Sequence, residues 1–229
     1  ELSLFGSTVR FLIDDGLGEG GNVWSAVEEL ARFIAAENID LKTKHVLELG
    51  SGPGVLAMAC AMQGAHAVAT DVPWVTDLIR KNACIEDNAK QIAASGGSIE
   101  VVDYVWGSTS EPPSSHPFDF VLVCECVYQL TSGGLHEVFG MDSAPTTDRL
   151  LESLERVCGP ETTLFLVNRV RSEGGMIETA FFQRLRSSFH ISCCGDTKNC
   201  ESEELIRGQL LMVRGKRRST ADAEGLARH

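Results

Sequence analysis

Residues 45–55 read His-Val-Leu-Glu-Leu-Gly-Ser-Gly-Pro-Gly-Val, an apolar strand running into a turn with glycine at 50, 52 and 54. A second apolar stretch ends in Thr70-Asp71. Glycines lack a Cβ, so the backbone turns sharply and lies close to a ligand, while an acid closing the second strand accepts hydrogen bonds from ribose hydroxyls. The pair points to a nucleotide-type cofactor. The dinucleotide fingerprint Gly-x-Gly-x-x-Gly fails here, because Val55 stands where its third glycine would fall. A pyrophosphate calls for free amides at a helix N-terminus. The pattern Glu48-x-Gly50-x-Gly52-x-Gly54 suits S-adenosylmethionine instead, whose short aminoacid tail carries an ammonium that Glu48 would favour, or else Glu48 supports the turn.

A second constellation, Glu125 and Tyr128, follows the apolar run 118–124. Ligands bind beyond the carboxyl ends of strands in an open α/β sheet, which places both residues on the catalytic face. A helical turn over 125–128 would put positions i and i+3 on one side of a reaction channel. Cys124 and Cys126 alternate with Glu125, and nothing in their surroundings lowers a thiol pKa, so packing is their expected role.

The elements that position these residues follow from hydrophobic period. Residues 8–14 have strand composition, and a glycine-rich loop over 16–22 precedes an amphipathic helix with Val23, Val27, Leu30, Phe33 and Ile34 on one face. Strand and helix then alternate: strand 45–49, helix 55–63, strand 66–70, helix 75–84, strand 99–102, strand 118–124, helix 148–158, strand 162–168 and helix 176–188. Such alternation implies a Rossmann-like, mostly parallel sheet with helices on both faces. Runs at 189–194 and 205–213 lack an intervening helix and are expected as an antiparallel C-terminal hairpin. Residues 1–215 are expected to form one domain, with 1–44 an N-terminal extension, 45–215 the core and 216–229 a disordered tail.

Composition excludes several classes. The chain has 229 residues, 43% hydrophobic and 23% charged, with no apolar run long enough to span a membrane. It opens at Glu1 without a basic, apolar leader, so secretion has no support. A net charge of -12 opposes nucleic-acid binding and favours a basic partner. The eight cysteines include no Cys-x-x-Cys, and Cys193-Cys194 with Cys200 has no histidine at ligand spacing. Free thiols, no metal and a reduced compartment, cytoplasmic or nuclear, are expected.

Further local patterns carry a resemblance. Gly20-Gly21-Asn22-Val23-Trp24, the glycine turn, Thr70-Asp71, Val105-Trp106-Gly107, Glu125-Cys126-Val127-Tyr128, Asn168-Arg169-Val170-Arg171 and Phe181-Phe182 occur in order over residues 8–213. Together they resemble the seven-β-strand methyltransferases, and within them the family 16 class I protein methyltransferases that mainly modify lysine. The resemblance implies S-adenosylmethionine as cofactor, lined by Trp24, Gly50, Gly52, Asp71, Trp106 and the region of Cys124. In that site Trp106 would lie beside the adenine as an aromatic platform. It also implies a protein substrate and catalytic roles for Glu125 and Tyr128, and the chain is expected as a monomer.

Lysine must shed a proton before it attacks a sulfonium methyl. A carboxylate favours the ammonium, so Glu125 is expected to capture and orient the side chain while the proton leaves through water. Glu125 stands where aspartate is commoner in the family, which keeps a histidine target open. Small-molecule N-methylation of the nicotinamide type and a silent, partner-binding relative are the other readings. The segment 129–147 is long for a plain connection and is expected either to border the substrate entrance or to be a disordered insertion.

Overall fold

The structure is a computed structural model that describes residues 1–107, 113–114, 116–128, 144–194 and 207–219. Two short strands, β1 (Leu2–Leu4) and β2 (Ser7–Val9), pair antiparallel, and α1 spans Ala26–Ala36. The core then runs β3 (His45–Leu49), α2 (Val55–Met62), β4 (His66–Asp71), α3 (Pro73–Ala83), α4 (Glu86–Ser95), β5 (Ser98–Asp103) and β6 (Phe120–Cys124). It closes with α5 (Thr146–Val157), β7 (Thr163–Arg169), α6 (Met176–Ser188), β8 (Phe189–Cys193) and β9 (Leu210–Arg217).

Seven of these strands form one sheet in the order β5-β4-β3-β6-β7-β9-β8. Strands β3 to β7 pair parallel, and β9 runs antiparallel to both β7 and β8. This is the expected Rossmann-like methyltransferase architecture. The central strands read as continuous apolar runs because helices cover both faces. Their side chains alternate between two cores: Leu122 and Phe165 pack with Leu30, Ile34 and Leu56 on one face. Val121, Val123 and Leu166 pack with Leu150, Leu154 and Phe182 on the other. Because the chain leaves β3 towards β4 and β5 but returns to its other side through β6, the carboxyl ends of β3 and β6 flank a crevice.

Four expectations are corrected. Strand pairing in the extension ends at Val9 rather than 14. The following residues leave the sheet and are held by two asparagines, Asn88 bonding Arg10 and Asn82 bonding Leu12. Helix α4 was absent from the hydrophobic reading because only Asn88 and Ile92 of its residues are buried, which leaves no apolar stripe. The last strand starts at Leu210 and runs to Arg217, so Lys216 and Arg217 belong to the sheet, opposite Thr163 and Phe189, and not to a tail. Finally, Cys193 is disulfide-bonded at the end of edge strand β8, whereas Cys60, Cys84, Cys124, Cys126, Cys158 and Cys194 stand outside disulfides. The segment 129–143 and the tail from 220 lie outside the described residues. Among the described residues no helix is long and apolar enough to cross a membrane, and no acid, histidine and cysteine cluster has metal-site geometry.

Candidate active site

The crevice holds a cavity of roughly 410 Å³, within the range of small-molecule sites. It is lined by every residue proposed from sequence: Trp24, Glu48, Gly50, Gly52, Asp71, Trp106, Cys124, Glu125 and Tyr128. These residues come from five separate parts of the chain, so the sheet's crossover brings them together.

The glycine turn is built for close approach. Gly50 has φ +68°, and a Cβ there would sit 2.7 Å from Cys126 Sγ and 2.8 Å from the Trp106 ring. Gly52 has φ +53°, and its Cβ would meet the carbonyls of Gly20 and Asn22 at 3.3 Å. Ser51 and Thr70 weld the two strand ends, since Ser51 N donates to Thr70 O and Thr70 N to Ser51 Oγ. Glu48 is buried, and its Oε2 accepts from Ala57 N at 3.0 Å in the first turn of α2. That bond ties β3 to the start of α2 across the glycine turn. Burial raises the Glu48 pKa to about 8, against the lowering effect of the Ala57 bond.

Asp71 ends β4 half-buried. One carboxylate oxygen accepts from Gly52 N at 2.9 Å and the other from Val72 N at 2.8 Å. A carboxylate has about four acceptor positions, so two remain for ribose hydroxyls. Desolvation pushes its pKa up to about 6 despite those two amides. Trp106 packs 6.5 Å from the Tyr128 ring in a tilted arrangement. Cys124 and Cys126 are buried, and desolvation holds both thiols well above their usual range, which rules out thiolate chemistry at neutral pH.

On the other wall, residues 125–128 do not form the expected helical turn. Glu125 takes φ +57°, and the segment stays tied to β7: Glu125 N donates to Val167 O, and Val127 N donates to the buried amide of Asn168. Glu125 and Tyr128 nevertheless border the same cavity. The Glu125 side chain is only 2% exposed and Oε2 accepts from Arg169 N at 3.1 Å and Arg171 Nη2 at 2.9 Å. Burial raises the Tyr128 phenol far above its usual value, so it stays protonated.

Two features escaped the sequence reading. Arg171 had been noted only within a motif, yet its guanidinium joins Glu125, lies 4.3 Å over the Trp24 ring and approaches Glu19 at 3.9 Å. Asn82 is fully buried and also donates to Pro53 O in the glycine turn. Its position in α3 carries no apolar signal that would have marked it.

This cleft, with a strained glycine cradle on one strand end and an acid on the next, defines a class: an S-adenosylmethionine-dependent methyltransferase. The chain belongs to the lysine methyltransferase family, whose model matches residues 6–188. It is similar to a Mus musculus protein called EEF1A lysine methyltransferase 3, 30% identical over 76% of this chain and 66% of the relative. A Danio rerio protein N-lysine methyltransferase, METTL21A, is 27% identical over 76% of this chain and 71% of its own length. The chain thus spans about two thirds of the relatives' length. Its fold is also that of the glycopeptide N-methyltransferase MtfA complexed with sinefungin, with TM-score 0.57, 14% identity and coverage of 91% and 92% of the two chains.

Proposed function

We propose that the protein methylates a lysine ε-amine of a basic protein substrate in the cytoplasm or nucleus, acting as a monomer without nucleic acid, with residues 1–217 as one domain. The observation that carries this reading is the meeting of Asp71 and the glycine cradle with Glu125 and Tyr128 across one cavity in a chain of the lysine methyltransferase family. When bound, S-adenosylmethionine supplies an electrophilic methyl on its sulfonium. Gly50 and Gly52 leave room for it, Asp71 takes the ribose hydroxyls, and Trp24, Trp106 and Cys124 line its apolar parts. Glu125 orients the incoming amine through its second oxygen, and Tyr128 narrows the channel and excludes water. Most of the rate enhancement then comes from alignment and desolvation, and the proton leaves through water. EEF1A, named in the mouse relative, is the first candidate substrate.

Incubation with methyl-labelled S-adenosylmethionine and a cell extract, followed by mass spectrometry, tests the reading. Label on a protein lysine is expected. Label on histidine or a small molecule would overturn the substrate assignment, and no label would favour a silent relative. Asp71→Ala should weaken cofactor binding, because it removes two charge-assisted bonds. Glu125→Ala and Tyr128→Phe should lower turnover more than cofactor affinity. An equal fall in both would move Glu125 and Tyr128 to the cofactor pocket.

A further inference from the structure

The cavity is acidic except at one point. Glu19, Glu48, Asp71 and Glu125 line it with carboxyl groups, and Arg171 is the one basic side chain among the described residues that line it. The arginine is fixed in place. Its backbone N–H donates to the buried Glu178 carboxylate at 2.7 Å, its Nη2 bonds Glu125, and its guanidinium carbon lies over Trp24. A guanidinium has five N–H donors, and among the described residues this one commits a single hydrogen bond, to Glu125. The contact with Glu19 is long, at 3.9 Å, and that carboxylate is 60% exposed, so it holds the arginine weakly.

S-adenosylmethionine brings three charged groups of unlike sign. Its sulfonium and ammonium suit an acidic cavity, but its carboxylate is repelled by the carboxylates of Glu19, Asp71 and Glu125 in partly dry surroundings unless a cation receives it. Among the described residues that line the cavity, Arg171 is the one cation that can do so.

We propose that Arg171 binds the carboxylate of the cofactor's aminoacid tail, with Glu125 and Trp24 holding the guanidinium in register. This rests on reading the cavity as the S-adenosylmethionine site and assigns the polar end of that site. A planar fork donates to a carboxylate through two parallel bonds, while the bond to Glu125 occupies another part of the same group. Arg171 is then a residue shared by both halves of the reaction. It ties the cofactor tail to the carboxylate that orients the substrate amine, so cofactor loading orders the substrate side.

Calorimetry with two ligands and three proteins tests this. S-adenosylmethionine and its decarboxylated analogue differ only in the carboxylate, and both keep the sulfonium and the amine. The unaltered protein should bind the analogue about 10- to 100-fold more weakly, the range of a charge-assisted pair. Arg171→Met should weaken S-adenosylmethionine by a similar factor and leave the analogue within about threefold, so that the two ligands become equivalent. Arg171→Lys, which keeps the charge and covers the case in which methionine does not fold, should retain part of the discrimination. Equal weakening of both ligands would make Arg171 a structural latch and overturn the proposal, as would unchanged binding of both. Failure of the unaltered protein to bind either ligand would instead overturn the cofactor reading, and this assignment with it.

Discussion

Replacing Glu48 with glutamine separates the turn-supporting role of this side chain from its charge. Glu48 is 2% exposed at the end of β3, and burial raises its pKa from 4.5 to about 8, with Asp71 adding in the same direction. The folded protein therefore keeps a proton that the unfolded chain releases above its ordinary carboxyl pKa. Stability from this group is fully present below pH 4.5, falls as pH rises and is lost above pH 8. The slope over that window is about 1.4 kcal/mol per pH unit. Glutamine retains a carbonyl to accept from Ala57 N and has no proton to lose. The variant should thus gain on the parent by about 3–4 kcal/mol between pH 5 and pH 8. Urea denaturation of both proteins at stepped pH, without cofactor, reads the difference. Asp71, raised to about 6, contributes a slope of the same sign to both proteins and largely cancels. Parallel stability curves across this range would refute the reasoning, because they would mean that Glu48 titrates alike in the folded and unfolded chain.

Two further substitutions probe the scaffold. Gly50→Ala places a Cβ at 2.7 Å from Cys126 Sγ in a left-handed backbone, so it should destabilise by about 2–4 kcal/mol and weaken S-adenosylmethionine binding; a loss under about 0.5 kcal/mol in chemical denaturation would show that the wall gives way freely. Asn82→Ala removes bonds to Leu12 N, Leu12 O and Pro53 O, and a cost of about 2–4 kcal/mol is expected together with faster exchange of the Leu12 amide; unchanged exchange would mean that the extension is held by other contacts.

Much of the architecture was legible from sequence because it is carried by local period. Strands β3, β6 and β7 are largely apolar and buried, and helix α6 spans the expected residues 176–188. The glycine turn announced itself because positive φ at 50, 52 and 54 demands glycine. Helix α4 did not, since a helix on the rim buries little and leaves no apolar stripe.

The sequence by itself determined the glycine cradle, the acid closing β4 and the alternation that forms a parallel sheet, because each depends on a residue's own conformational or hydrophobic preference. The tertiary structure alone decided which polar groups meet. Glu125 and Arg171 lie apart in sequence and pair because β6 and β7 are neighbours, with Arg169 N closing on the same carboxylate. Asn82 faces inwards only because residues 10–12 cross over α3 and bring two unpaired backbone groups to its amide. Electrostatic and hydrogen-bond partners separated by many residues leave no periodic trace in a single chain, so their pairing becomes readable only once the sheet order is known.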